Sequence, residues 1–223
     1  MIARELLDTA PVPDGDALRL FRHGRDHMIV LGGNELMNTR QSGSEEALAT
    51  LACARIAGRK APHLLIGGYG MGFTLRAALG VLDSKARITV AELVPQIIDW
   101  ARGPMADLTG GCLDDPRVRL IEDDVVAVIQ SAQATYDAIL LDVDNGPDGL
   151  TRAANSKLYA MRGLHRAREA LSPGGVLAVW SAARDPAFTR RLGDAGFAVE
   201  EIPVRSRSNG KGAHHVIWLA SAP

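Results

Sequence analysis

Residues 63–72 read HLLIGGYGMG, an apolar run of strand type that ends in a cluster of glycines, Gly67, Gly68, Gly70 and Gly72. An alanine- and leucine-rich segment of helical character follows. Closely spaced glycines let backbone N–H groups approach a ligand, and the helix start behind them adds a favourable dipole. A plain tight turn is the alternative, but the order of strand, glycines and helix favours a ligand site.

Glu92 supports the ligand site, because it follows the glycine cluster at the end of a second apolar stretch, ITVAEL. A carboxylate just beyond a second strand is placed to bind the two hydroxyls of a ribose. A dinucleotide fingerprint would need glycine or alanine at Phe73, and no Walker-type G-K-[ST] follows the glycines. The spacing G-x-G-x-G instead resembles that of Rossmann-like transferases that bind S-adenosylmethionine.

The bulk composition excludes several classes of partner. The chain has 223 residues, is 47% hydrophobic and carries 25 basic against 26 acidic side chains. This balance gives no electrostatic reason to expect nucleic acid or an anionic membrane as partner, and no uncharged apolar run approaches the length of a membrane span. The two cysteines have no metal-ligand spacing and the N-terminus lacks a signal-peptide pattern. We therefore expect a cytoplasmic protein without a metal site.

Strand-like and helix-like segments alternate after Gly58, which is typical of a parallel sheet covered by helices. We predict sheet strands at 63–67, 87–92, 118–122, 136–142 and 175–181. The predicted helices are 71–80, 95–102, 124–132, 151–171 and 186–195. Two late strands, 198–206 and 214–220, form an antiparallel hairpin that closes the sheet. The expected fold class is α/β and Rossmann-like, with a mainly parallel seven-stranded sheet whose last strand is antiparallel.

The first 60 residues have a different pattern. The segments ALRLFRHG and DHMIVLGGN predict a β hairpin, and a polar loop then leads into a helix with a capping box of Ser42 and Glu45. We divide the chain into a hairpin with a lead-in helix, 1–60, and a ligand-binding domain, 61–223. The free edge of the hairpin can pair across a homodimer.

A second polar group follows the strand YDAILL in the segment DVDNGPDG, where Asp142 and Asp144 lie. Ligands of open parallel sheets bind beyond the carboxyl ends of the strands, so both carboxylates are predicted to face the crevice of the glycines. Turn chemistry accounts for Gly146 and Pro147, but it does not account for Asp142 at the end of a strand.

Five segments, in this order, resemble a spermidine-synthase-like family: LIGGYGMGFTLRAAL, ITVAEL, YDAILLDVDNGP, SKLY and LSPGGVLAVWSA. The similarity covers most of the chain from about Leu18. It implies the class I methyltransferase fold and the transfer of an aminopropyl group from decarboxylated S-adenosylmethionine to an amine acceptor. The donor is thus decarboxylated or intact S-adenosylmethionine, and the acceptor is a small amine or another small nucleophile.

The resemblance also implies roles for individual residues. The glycine cluster and Glu92 would bind the donor, with Glu92 on the ribose hydroxyls and Asp124, or else Asp123, near the adenine amine. Asp142 would hold and help to deprotonate the attacking amine, and Tyr159 would line the amine pocket. Asp144 is a further catalytic candidate because of its predicted place in the same crevice. Glu46 and Trp180 are further candidates for contact with the acceptor.

Departures from the family pattern leave the reaction open. The family carries an Asp inside the glycine loop, where this chain has Gly70 and Met71, and the segment before the first sheet strand offers Ser44, Glu45 and Glu46 but no aromatic ring. The missing acid favours an alternative, methyl transfer from intact S-adenosylmethionine to a small molecule. A non-catalytic nucleoside-binding scaffold is a third hypothesis, and the presence of both Glu92 and Asp142 argues against it.

The histidine pair His214-His215 lies in the last predicted strand, where alternation places one side chain on each face of the sheet. Two histidines on opposite faces do not converge on one metal. We therefore predict a structural role for this pair.

Overall fold

A small antiparallel sheet forms the N-terminal part of the computed structural model, which describes residues 3–12, 17–143 and 156–223. Its strands pair in sequence order: β1 Glu5–Ala10, β2 Leu18–His23, β3 Asp26–Leu31 and β4 Asn34–Asn38. The predicted hairpin is β2 and β3, which pair from Leu18 with Leu31 to His23 with Asp26. The sequence prediction missed β1 and β4, because these short strands carry few buried residues and depend on pairing with their neighbours.

The larger sheet has seven strands and confirms the predicted α/β class. In chain order they are β5 His63–Gly67, β6 Arg87–Ala91, β7 Val118–Ile121, β8 Tyr136–Leu141, β9 Leu171–Ser181, β10 Ala198–Arg205 and β11 His214–Ser221. Their spatial order is β10-β11-β9-β8-β5-β6-β7. The pairs among β5 to β9 are parallel, whereas β11 is antiparallel to both neighbours. The chain leaves β5 toward β6 and later returns to its other side as β8, so a topological switch point lies between β5 and β8.

Helices cover both faces of this sheet. They are α1 Gly43–Arg55, α2 Phe73–Val81, α3 Pro95–Arg102, α4 Ala106–Thr109, α5 Val125–Gln130, α6 Ser156–Tyr159, α7 Met161–Ala170 and α8 Pro186–Asp194, with a 3₁₀ turn at Cys112–Asp114. Side chains of the central strands alternate between two hydrophobic clusters, so that Leu64 and Ile66 pack on one face and Leu65 on the other. The first cluster also contains Leu20 and Ile29 of the small sheet. Because this cluster contains residues from both sides of position 60, the division of the chain at that position stays a prediction.

Three local predictions differ from the structure. The long helix expected at 151–171 is two helices, because Ala160 between α6 and α7 has an extended backbone, and residues 151–155 lie outside the described part. The strand predicted at 175–181 begins earlier, at Leu171, because β9 includes Pro173 and Gly174 and continues through an irregularity in its pairing with β8. Ser42 precedes α1 without a side-chain cap, because its backbone is helical where a capping residue is extended, and Glu45 bonds the Ser44 hydroxyl.

The strands β5, β6, β7 and β8 all end at one edge of the sheet, and the glycine cluster, Glu92, Asp123 and Asp142 follow these ends. Among the helices that the structure describes, none has the length and apolar character that crossing a bilayer requires.

Candidate active site

The glycine loop joins β5 to α2 and needs glycine for two physical reasons. Gly68 has a φ of +84°, and a Cβ there would lie 2.8 Å from the carbonyl oxygen of Asp142. Gly72 has a φ of +78° and precedes α2, where a Cβ would meet the Tyr69 hydroxyl. A side chain would be strained at either position, and at Gly68 it would also push the loop away from the end of β8. The loop therefore keeps its backbone open and close to the strand ends.

Glu92 fixes the glycine loop from β6. Its Oε2 accepts the backbone N–H of Tyr69 at 2.8 Å, and its Oε1 accepts the N–H of Val94 at 2.9 Å. Burial raises the pKa of Glu92, and these N–H bonds to the carboxylate oppose that rise. Each oxygen has a second lone pair, so the carboxylate can also accept hydrogen bonds from a ligand.

A cavity of about 150 Å³, the glycine-loop cavity, lies between this loop and the small sheet. Its polar lining comes from the carboxyl ends of the parallel strands, and its apolar lining comes largely from the small sheet and α3. The residues are Val12, Leu18, Leu31, Leu36, Met37, Gly68, Gly70, Ala91, Glu92, Leu93, Val94, Ile97, Asp123, Asp124, Val125, Asp142 and Val143. The cavity thus combines bare backbone, carboxylates and apolar walls, which suits a nucleoside.

Asp123 and Asp124 both line the glycine-loop cavity, but their carboxylates make different hydrogen bonds. Asp124 is the N-cap of α5, and its Oδ1 accepts the Val126 N–H at 2.8 Å. Asp123 is exposed, and its Oδ1 accepts the Asp124 N–H at 2.7 Å. Asp124 is the more firmly positioned of the two, because capping holds its carboxylate in one orientation.

A second cavity of about 90 Å³, the acidic cavity, adjoins the first. Among the residues that the structure describes, two carboxyl groups line it, Glu45 from the first turn of α1 and Asp142 from the end of β8. Trp180, which is 9% exposed, forms part of the wall from β9. The full lining is Leu36, Met37, Glu45, Tyr69, Gly70, Met71, Phe73, Thr74, Asp142 and Trp180.

The electrostatics of the acidic cavity are set by its two carboxyl groups. Burial and the nearby charge of Asp142 raise the pKa of Glu45 to about 8. Burial raises the pKa of Asp142 to about 6, although the Thr74 hydroxyl donates to its Oδ2 at 3.1 Å and opposes the rise. At neutral pH the pair therefore holds one proton and one negative charge, and it can bind or deprotonate a cationic amine.

Asp142 lines both cavities, as do Gly70, Leu36 and Met37. A ligand in the glycine-loop cavity and one in the acidic cavity would therefore meet beside the Asp142 carboxylate. This arrangement suits a reaction between a nucleoside-bearing donor and a small basic acceptor.

Two predicted site residues are not part of this group, and a third, Asp144, lies outside the described residues. Tyr159 is buried beside Phe188 of α8, at 5.7 Å between ring centroids, and lines neither cavity, so its predicted place in the amine pocket is not supported by this geometry. Glu46 also lines neither cavity, and Glu45 occupies the position that we predicted for it.

The sequence contains a signal for Glu45 that the prediction did not use. In α1 the buried side chains include Leu48, Ala49 and Ala52, which lie three, four and seven residues after Glu45. These spacings place Glu45 on the inward face of the helix and Glu46 beside it. No comparable pattern in the sequence predicts that Thr74 and Met37 line the acidic cavity.

Comparison with known proteins agrees with this geometry. The spermine/spermidine synthase domain matches residues 42–191. A polyamine aminopropyltransferase 1 from Streptomyces coelicolor is 31% identical over 161 residues, which are 67% of this chain and 29% of that protein. A polyamine aminopropyltransferase from Corynebacterium efficiens is 29% identical over 80% of this chain and 34% of its own length. The chain thus spans about a third of the length of these relatives.

Solved structures share the fold at low sequence identity. Spermidine synthase from Thermotoga maritima superposes with a TM-score of 0.77 at 17% identity, covering 98% of this chain and 73% of that one. A probable spermidine synthase from Corynebacterium glutamicum gives a TM-score of 0.67 at the same identity, covering 99% of this chain and 81% of that one. The domain match includes the glycine loop, Glu92, Asp142 and Glu45, and on this basis the chain belongs to the spermine/spermidine synthase domain family.

Proposed function

We propose that this protein is a transferase that moves an aminopropyl group from decarboxylated S-adenosylmethionine to a small amine. The observation that carries the proposal is the position of Asp142, whose side chain lines both the glycine-loop cavity and the acidic cavity. The names of the curated relatives support the same activity.

The donor would supply a carbon that is already activated by a sulfonium, so the chain has to align the amine, the carbon and the sulfur. Glu92 and the glycine loop would hold the nucleoside, and Asp124 would lie near the base. An alkylammonium with a pKa of about 10 is not nucleophilic until it loses a proton. In our proposal Asp142 binds the ammonium, accepts its proton and leaves the free amine facing the donor carbon.

Methyl transfer from intact S-adenosylmethionine is the second candidate, and one observation favours it. The glycine loop carries no acid where the family has one, and Gly70 faces the Met37 thioether, since a Cβ at Gly70 would lie 3.0 Å from its sulfur. No carboxylate of the loop itself would therefore bind the free amine of a decarboxylated donor or repel the carboxylate of the intact one.

Calorimetry with decarboxylated S-adenosylmethionine, intact S-adenosylmethionine and methylthioadenosine separates these candidates. Tighter binding of the decarboxylated donor supports aminopropyl transfer, and tighter binding of the intact donor supports methyl transfer. If none of the three binds, both proposals fail and the scaffold hypothesis remains. Mass spectrometry of products from a panel of di- and polyamines then identifies the acceptor.

Asp142→Asn tests the assigned role. We expect donor affinity to stay within about twofold while kcat falls by roughly 10²- to 10⁴-fold, as for loss of a positioned base. Asp99→Asn, which changes an exposed carboxylate on α3 that lines neither cavity, is the matched control. A collapse of donor binding with normal turnover of bound donor would show that the role is misassigned. The homodimer, the cytoplasmic location and the lack of a nucleic-acid partner stay predictions.

A further inference from the structure

A chain of hydrogen bonds leads from the acidic cavity to the last strand. The Ser44 hydroxyl donates to Glu45 Oε2 at 2.9 Å, and the Ser44 Oγ also lies 2.9 Å from Nδ1 of His215. Ser44 is fully buried, whereas His215 is partly exposed. The three side chains therefore connect a carboxyl group in the cavity with an imidazole that reaches the protein surface.

Neighbouring segments hold this chain of side chains in place. The backbone N–H of Gly43, at the start of α1, donates to the carbonyl of Ser206 in the turn between β10 and β11, at 3.0 Å. A Cβ at Gly43 would collide with the backbone of Arg207. The ring of Trp180 contacts the His215 ring edge-on, at 4.9 Å between centroids. The turn thus lies directly against the first turn of α1, and the imidazole lies between Ser44 and the indole.

The proposed reaction requires an exit for a proton. An ammonium acceptor loses one proton, its nitrogen forms a bond to the donor carbon, and the carbon–sulfur bond breaks with its electron pair moving to sulfur. The products are a neutral thioether and an alkylated ammonium, so one proton is released in each turnover. The acidic cavity measures only about 90 Å³, so an acceptor that fills it leaves little room for water to carry that proton away.

We propose that Glu45, Ser44 and His215 form a proton path from the acceptor amine to solvent. The inference rests on the proposed function. Near neutral pH Glu45 already holds a proton, so this carboxyl first donates its proton to Ser44 Oγ while Ser44 passes its own proton to His215 Nδ1, and the imidazolium releases a proton from Nε2 to water. The Glu45 carboxylate then receives the proton of the amine, directly or from Asp142. Only O–H and N–H bonds change, and Ser44 is left donating to Glu45, as in the structure. Rotation of the Ser44 hydroxyl and of the partly exposed imidazole ring restores the starting arrangement before the next turnover.

The groups around the path are compatible with proton transfer near neutral pH. Glu45 faces Asp142 at the end of β8, and its backbone carbonyl accepts the Thr74 hydroxyl of α2 at 3.5 Å. On its own helix it lies between Ser44 and Glu46. His215 faces Ser44 from α1 and Trp180 from β9, and it pairs with Val204 of β10. Burial lowers the pKa of His215, which helps the imidazolium to release its proton.

The test compares His215→Gln with His214→Gln. Glutamine at position 215 can still donate to Ser44 but cannot take up a second proton, whereas His214 is exposed on the other face of β11 and serves as the matched control. We expect kcat of H215Q to fall by roughly 10- to 100-fold, because water can replace part of the path, while donor affinity by calorimetry stays within about twofold. Added imidazole should restore part of the H215Q rate, and H214Q should match the wild type.

A second variant keeps the proposal testable if H215Q does not fold. Ser44→Ala interrupts the path at its centre, and it should lower kcat in the same way without weakening the binding of the donor. Unchanged kcat of H215Q or of S44A between about pH 6 and 9, with an active wild type, would overturn the path and leave the proposed function standing. A wild type that binds donor but transfers no group to any amine would refute the proposed function, and the path with it.

Discussion

Glu45→Gln should stabilise the protein relative to the wild type by an amount that grows as the pH rises. In the folded protein, burial and Asp142 raise the pKa of Glu45 from 4.5 to about 8. Below about pH 4.5 the carboxyl is protonated in the folded and unfolded states, and it contributes no difference. Between these values the unfolded chain releases the proton while the folded chain keeps it, so wild-type stability falls with rising pH. Above about pH 8 both states are ionised, and the loss is complete.

The size of the effect follows from the pKa shift. Each pKa unit is worth about 1.4 kcal/mol, so the rise from 4.5 to about 8 corresponds to on the order of 5 kcal/mol. We halve this figure to about 2–3 kcal/mol, because Glu45 is partly exposed and water screens its charge. The substituted glutamine keeps the shape of the side chain and a carbonyl oxygen for the Ser44 hydroxyl, so the variant removes the ionisation with little other change.

Urea unfolding of the wild type and E45Q measures the difference in unfolding free energy at about pH 5, 7 and 8.5. We expect E45Q to gain little at the lowest pH and about 2–3 kcal/mol at the highest. Glu46→Gln, one residue further along α1 and outside both cavities, should keep the wild-type pH dependence. A difference between E45Q and the wild type that is constant with pH, or larger in acid, would refute the assignment of the protonated group.

Three further predictions concern the glycine-loop cavity. Gly68→Ala should destabilise the protein by about 2–4 kcal/mol in urea unfolding, because backbone strain adds to the close contact with the Asp142 carbonyl. Gly33→Ala is the control, because Gly33 has a φ of +92° but no atom near its Cβ position, and it should cost only the strain of about 1 kcal/mol. Asp124→Ala should lose about 1 kcal/mol through the missing N-cap of α5, and thermal unfolding should show a lower Tm. Glu92→Gln should weaken donor binding by about tenfold or more in calorimetry, because one acceptor oxygen becomes a donor, and unchanged affinity would remove Glu92 from the site.

Local sequence signals predicted the parts of the fold whose stabilising contacts are encoded nearby. β5 and α3 have the predicted bounds, because an apolar run ending in glycines and a helix opened by Pro95 are both local patterns. β1 and β4 were missed, since their hydrogen bonds come from partner strands. The start of β9 was predicted four residues too late, because the pairing of Leu171 with Tyr136 of β8 cannot be inferred from the residues themselves.

The same distinction applies to the candidate site. The sequence places Asp142 after a buried strand and the glycine loop before a helix, and from these positions we predicted that the two face one crevice. The pairing of Asp142 with Glu45 needs α1 to pack across the sheet, and the contact of His215 with Ser44 joins residues 171 positions apart. Tyr159 was assigned from family resemblance alone, and its ring packs against Phe188 instead.

The small N-terminal sheet has a consequence for how the protein can change over evolution. Leu18, Leu31, Leu36 and Met37 of this sheet form walls of the glycine-loop cavity, while the groups proposed to react lie on the parallel sheet and on α1. Mutations in these short strands can therefore reshape the space for a ligand and leave the reactive carboxylates untouched. Relatives that share one reaction can therefore diverge in the ligands they bind through changes confined to the small N-terminal sheet.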